Sequence, residues 1–256
     1  MKKVRIIGGM SKSRSISILS EEYTSTAEYD PFTDCILWEV KRNSAILRLI
    51  TKKGSFFIPQ TVKLILMLID EIGIRTLVFG GLVLAGLYML ASILPGHHHA
   101  SAPTSSGWWD SLVTYATINA CIFTYIRQEV ASWHGAEHKA IGTYDRLGSV
   151  RMKDIVKESR VNEKCGGRLF LPIIIVTTIA EYAFKSSGVN SIVVNLLSME
   201  AILWIDKLIG WDKIPITSGM SRLLQKWITT TEPGEVELQT AQLALERLVA
   251  KHHSLA

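Results

Sequence analysis

The sequence predicts an all-α integral membrane protein. The expected architecture is about four transmembrane helices plus an interfacial helix, with a small mixed N-terminal cytoplasmic segment and a C-terminal amphipathic helix. Three observations lead there. Mean hydropathy is +0.23 although 20% of the residues are charged, so the apolar residues are gathered in blocks rather than spread. One block, Thr76 to Leu94, holds no charge and stops at Pro95. Lys and Arg concentrate in alternate connections, the pattern that orients membrane proteins.

Residues 1–54 are mixed and charged. Within them "SISILS" and "CILWEV…AILRLI" read as short strands from their β-branched content, and the whole is expected to be a cytoplasmic segment. In 55–75 the apolar run is broken by Lys63, Asp70, Glu71 and Arg75, which suits an interfacial helix better than a span. The uncharged block from Thr76 covers roughly 28 Å at about 1.5 Å per residue, close to the hydrocarbon thickness. Its Gly80, Gly81 and Gly86 permit close helix packing. A second span starts at Trp108 and Trp109, residues of an interfacial belt. A third, Leu169 to Phe184, contains Glu181, and a fourth, "IVVNLLSMEAILWI", contains Asn195 and Glu200. The bundle thus occupies 76–228, with a cytoplasmic loop at 127–168. Residues 229–256 form a cytoplasmic helix, because "EVELQTAQLALERLVA" is helically periodic and follows Pro233–Gly234.

The N-terminal arm, the 127–168 loop and the region from Lys207 to Lys226 carry nearly all the Lys and Arg, and the other two connections hold only Lys185. Both termini and the middle loop are therefore expected in the cytoplasm of a multi-pass cell-membrane protein. The net charge of +5 is explained by this topology. Nucleic acid is not an expected partner, because no aromatic–basic interleaving accompanies the charge; the bilayer is, and a homo-oligomer stays open. Cys35, Cys121 and Cys165 are odd in number and lack paired spacing, which excludes a disulfide framework. "MKKVRIIGGMSKSRS" has an apolar run of two isoleucines, too short for a secretory signal.

The chemistry concentrates in "WHGAEHKAIGTYD", from Trp133 to Asp145. On a helix, Glu137 lies about 60° behind His134 and His138 about 40° ahead of it, so the three share a face. His-x-x-Glu-His is the arrangement in which two histidines bind metal and the glutamate activates water. Asp145 extends the stripe and is a candidate to orient His138. Two histidines need a third protein ligand. Cys165 is one candidate. Glu200 is the other: a carboxylate within a span costs on the order of 2.5–3.5 kcal/mol to insert, so it faces the interior. Glu232, before Pro233, reads as a cap of the terminal helix. His97, His98 and His99 fall in a far-side loop, and His252 and His253 in the tail have no visible partner.

Four ordered stretches carry a family resemblance. "WHGAEHK" is similar to Tyr-His-Gly-Ala-Glu-His-Lys, and "SRVNEKCGG" to Ser-Arg-Leu-His-Pro-Arg-Cys-Gly-Thr. "SMEAI" is similar to a Ser-Tyr-Glu segment, and "LQKWITTTEP" to Leu-Gln-Lys-Leu-Thr-Thr-Arg-Glu-Pro. Over about residues 110–250 the chain resembles the YqhQ-like membrane proteins, domain-of-unknown-function family 1385, commonly described as predicted metal-dependent enzymes. Asn162 stands where that family has His and Glu163 where it has Pro. Its N-terminal signature Gly-Gly-Gln-Ala-Val-Met-Glu-Gly is reduced here to Gly8, Gly9 and Met10. The chain reads as a divergent member.

The expected function is metal-dependent chemistry, most simply hydrolysis, at the cytoplasmic membrane face. His134 and His138 bind a divalent ion, with zinc the first choice, Cys165 or Glu200 completes the site, and Glu137 is the general base. The alternative is a transport or scaffold protein, with Glu181 and Glu200 along a polar path and the histidines as a structural clamp or pH-sensitive gate.

Overall fold

Alternation organises the N-terminal arm. Ile16 and Ile18, two residues apart, project to one side of a strand and are both fully buried. The computed structural model describes residues 3–51, 59–63, 65–66, 124–163, 165–184 and 189–254. Four strands, β1 (Ile6–Lys12), β2 (Ser15–Ser20), β3 (Tyr23–Asp30) and β4 (Cys35–Arg42), form an antiparallel meander in sequence order. Ile16 pairs with Ala27 and Ile18 with Ser25, and all four are fully buried. A register shift between Ile6 and Gly8 bends β1.

This sheet overturns the all-α expectation. "SISILS" and "CILWEV" fall in β2 and β4, but "AILRLI" falls in a helix, α1 (Ala45–Thr51). Ser44 decides that: its hydroxyl accepts the Leu47 N–H at 3.0 Å, an N-cap that outweighs the β-branched content. β1 and β3 lack the apolar signal of their partners, since β1 is interrupted by Gly8–Gly9 and β3, although half Tyr and Thr, holds no aliphatic side chain larger than alanine.

Further helices are α2 (Ala131–Leu147), α3 (Met152–Ile155), α4 (Phe170–Phe184), α5 (Ser191–Leu208), α6 (Pro215–Leu224) and α7 (Glu235–His253). Short π-helical turns, Ile126–Val130 and Gln225–Thr229, precede α2 and follow α6. A 3-10 turn, Gly166–Leu169, leads into α4. Helix α2 packs against β1, and α7 packs across β2, β3 and β4 as well as against α2. Leu238, Ala241, Ala244, Leu245 and Leu248 make the buried stripe of α7 at helical spacing, and Trp133, Ala136, Ala140, Ile141 and Tyr144 make that of α2. Each fully buried Ile or Leu in this core contributes roughly 1.5–3 kcal/mol. The phenol oxygen of Tyr144 accepts the Val4 N–H at 3.0 Å, tying the chain start to α2. Segments 1–54 and 229–256 therefore meet on 131–147 in a single core.

The four-span bundle is also corrected. Among the described residues, one helix is long and apolar enough to cross a membrane: Gly166–Phe184, 19 residues with mean hydropathy 1.5. Helix α5, expected to hold the fourth span, carries Glu200, Asp206 and Lys207 within its 18 residues, too much charge for that class. It packs along α4. The expected spans at 76–94 and from Trp108, most of the expected interfacial helix at 55–75, His97–His99, Cys121 and the side chain of Glu181 lie outside the described residues.

Candidate metal centre

One turn of α2 sets His134 beside His138, with ring centroids 4.2 Å apart. Each imidazole is held from behind by a backbone carbonyl. Nδ1 of His134 donates to the Thr229 oxygen at 3.0 Å, and Nδ1 of His138 donates to the Arg160 oxygen at 2.7 Å. A carbonyl can only accept, so each ring carries its proton on Nδ1 and leaves an Nε2 lone pair available. This is the tautomer that metal-binding histidines adopt when a carbonyl orients them.

The carbonyl behind His134 comes from chain that runs against the start of α2. The Thr231 N–H donates to the Ala131 oxygen at 2.9 Å, and Arg127 Nη1 donates to the Thr230 oxygen at 3.1 Å. Gly135 makes the approach possible: any Cβ there would collide with the Thr231 carbonyl oxygen. The glycine between the histidines, a weakness for the helix taken alone, is thus a packing requirement.

Cys165 arrives from the loop after α3. Its N–H donates to the Asn162 oxygen, and its sulfur accepts the Gly167 N–H at 3.4 Å, capping the 3-10 turn. Sγ lies 3.7 Å from His134 Nε2. Next to it, Arg168 grips Asp206 of α5 through two hydrogen bonds, Nε at 2.9 Å and Nη2 at 2.7 Å, which anchors this turn to the α4–α5 pair. Ligand atoms of His134, His138 and Cys165 all lie within 4.8 Å of one another. Tetrahedral zinc with Zn–N near 2.0–2.1 Å and Zn–S near 2.3 Å has ligand–ligand edges of roughly 3.3–3.8 Å, the spacing that the His134–Cys165 pair already has.

Glu137 faces the same cavity, of about 170 Å³, whose wall also includes Asp145, Asn162 and the Gly8–Gly9 backbone of β1. The Ser11 hydroxyl donates to its Oε2, and a Cβ built on Gly9 would stand 2.5 Å from its Oε1. The carboxyl is buried, and burial pushes its pKa up; the neighbouring His138 and the Ser11 hydroxyl oppose that shift. Burial pushes the imidazole of His138 down, against the pull of Glu137 and of the Arg160 carbonyl.

The structure brings together three of the four expected ligands. Glu200 is elsewhere: its carboxylate accepts the N–H groups of Gln60 and Thr61 and the indole N–H of Trp204, each at 2.7 Å. Asp145 lines the cavity, but the Arg160 carbonyl takes the orienting position on His138. Glu232 pairs with the buried Lys139 at 2.5 Å, while Gly234 occupies the N-cap of α7. His252 has a partner, the Ser20 hydroxyl at 2.8 Å, and Cys35 is exposed on β4. Reading by side chain missed Ser11, Arg160 and Thr229. The last two act through carbonyls, which leave no mark in residue type; Ser11 had a signal in the Gly8–Gly9–Met10 remnant just before it.

A family model described as protein of unknown function (DUF1385) matches residues 111–251. The chain belongs to this family. The DUF1385 match includes α2, Cys165 and all but the end of α7, whereas the sheet that supplies Gly9 and Ser11 precedes it. No curated protein and no solved structure matches the chain.

Proposed function

We propose that this protein is a membrane-associated, metal-dependent hydrolase in which His134, His138 and Cys165 hold one divalent ion and Glu137 serves as general base. One observation carries the reading. Both Nδ1 atoms are occupied by carbonyls, so both Nε2 lone pairs are left for the ion beside the Cys165 sulfur, in a cavity that a buried glutamate also faces. Two imidazoles and a thiol suit zinc, a borderline-soft ion of tetrahedral habit. Three protein ligands leave one position open, as catalytic sites do and closed structural sites do not. A bound divalent ion would supply a Lewis acid and a water of lowered pKa.

The chain's own residues do the rest. A carboxyl raised toward neutrality by burial is better matched to taking a proton near pH 7 than an exposed one. Ser11 and the bare backbone at Gly9 hold it in place. The cavity admits a small polar group of a substrate rather than a whole drug-sized molecule, for which about 300 Å³ or more is usual.

Two features support a place at the cytoplasmic membrane face. The apolar stretch Gly166–Phe184 begins one residue after Cys165. The sheet, α2 and α7 share one core, so they sit on one side of any membrane the chain crosses, and the stretches that contain the sheet and α2, residues 1–54 and 127–168, hold 19 of the 28 Lys and Arg. The test is a panel of ester, amide and phosphoester model substrates offered to the reconstituted protein. The reading expects an activity that chelation removes, added zinc restores and Glu137→Gln lacks. A chelator-sensitive activity of full strength in Glu137→Gln would remove the base from the mechanism.

A further inference from the structure

Helix α6 and the π-turn after it present an apolar stripe. Ile216, Met220, Leu223 and Trp227 are 75%, 40%, 54% and 65% exposed. Their spacing of four, three and four puts them on one face. The opposite face is fixed against protein, because Thr217, Ser221 and Gln225 are buried. The stripe is therefore an oriented surface and not the flank of a loose helix.

Its chemistry and position select one occupant. Trp227 ends the stripe, with the Lys226 ammonium 5.5 Å from its ring centroid, and Lys213 is exposed just before the helix begins. An aromatic ring beside one lysine, on a short helix with one apolar face and a second lysine at its other end, is the composition that settles at the headgroup layer. Helix α6 also packs against α4 and against the turn Gly166–Leu169 that starts the apolar stretch. The apolar stretch is likewise exposed at Ile174, Ile175 and Ile179, so α6 and the helix it packs against both leave apolar surface uncovered.

We infer that α6 lies in the headgroup layer of the bilayer, with Ile216, Met220, Leu223 and Trp227 toward the acyl chains and Lys213 and Lys226 toward lipid phosphates. The same element reaches the metal centre. The turn Gln225–Thr229 that carries Trp227 also supplies the Thr229 carbonyl behind His134, and the Gln225 side chain accepts the Asn162 N–H at 2.8 Å. Docking on lipid thus holds the pocket level with the membrane surface. The inference rests on the membrane reading of the chain and is independent of the metal.

The test uses the full chain, as wild type and W227F, reconstituted in vesicles of zwitterionic and anionic phospholipid with bromine on the upper acyl chain. The emission that W227F removes from the total of seven tryptophans isolates Trp227. The expected result is that brominated lipid quenches this component several-fold more than aqueous iodide does, and that adding L223W to W227F restores a lipid-quenched component. Quenching by iodide in place of lipid would overturn the inference, because the stripe would face water. Resistance to both quenchers would overturn it too, in favour of a second copy or another protein on the stripe. Failure of the chain to enter vesicles would overturn the membrane reading itself, an outcome separate from either quenching result.

Discussion

Nε2 of His134 and Sγ of Cys165 stand 3.7 Å apart, although 31 positions separate the two residues in the chain. Each is braced from outside the pair, His134 by the Thr229 carbonyl and Cys165 by the Gly167 N–H. Loss of an outer partner of a metal ligand usually costs about 10–100-fold in affinity. Cys165→Ser removes a ligand and is expected to cost more than that, measured by competition against a chromophoric chelator. Unchanged zinc affinity in Cys165→Ser would leave the site with histidines alone.

Glu137 lies beside the ligands without being one of them in this account. Glu137→Gln keeps the side chain's size and its contact with Ser11 while removing the base. It is expected to retain metal at the wild-type level and to lose hydrolysis by about 10²–10⁴-fold, the usual range for a general base. Loss of metal in the same variant would make Glu137 a ligand and remove it from the role of base.

Two adjacent glycines provide an internal control. A Cβ on Gly9 would meet the Glu137 carboxylate at 2.5 Å, whereas a Cβ on Gly8 meets nothing within 4 Å. Gly9→Ala is expected to cost about 1–3 kcal/mol in denaturant unfolding, the range for overpacking, and to lower activity. Gly8→Ala should change neither by much. Equal effects of the two would mean that the strand does not position Glu137.

The buried imidazole gives a pH dependence of definite sign. The pKa of His138 is depressed below its usual 6.5, so the unfolded chain takes up the proton first as pH falls. Its contribution to stability is complete above about pH 6.5 and is lost as pH drops through the lower folded value, by at most ~1.4 kcal/mol per pH unit. Glu137, raised by burial, runs oppositely: its contribution is complete below the unfolded value of 4.5 and fades as pH rises through the folded one. Urea midpoints of metal-free protein in a Glu137→Gln background are free of the opposing carboxyl, and because burial also lowers the pKa of His252, the share of the pH dependence that His138→Gln removes is the one assigned to His138. The midpoints should fall between pH 7 and pH 5, and His138→Gln should flatten that fall. No difference between the two variants would show that His138 is not buried as described.

How much of this was legible in the sequence follows from the range of each interaction. His134, Glu137 and His138 share a helix face, which needs only a 3.6-residue period. Cys165 was recognisable as a candidate by its residue type alone, with Glu200 standing beside it; that choice was open because nothing local shows Gln60 and Thr61 donating to the Glu200 carboxylate across 140 and 139 positions. The sheet was half visible. Ile16 and Ile18 alternate with serines, but Gly8 and Gly9 serve the cavity and so lose strand character, and β3 buries Ala27 and Ser25 where a larger apolar residue would have announced a core. The joining of residues 4–40 to α2 and α7 is entirely long-range. The charged surfaces of these elements, read as a separate N-terminal segment, a cytoplasmic loop and a C-terminal helix, enclose one core.

The most direct measurement is the metal content of the purified full chain, by mass spectrometry of the digested protein after gel filtration in metal-free buffer. The account predicts about one divalent ion per chain in the wild type, Glu137→Gln and Glu200→Gln, and none in the double variant His134→Ala/His138→Ala, which should keep its helical circular dichroism. A stoichiometric ion retained by the double variant, or lost in Glu200→Gln, would contradict a centre built from His134, His138 and Cys165.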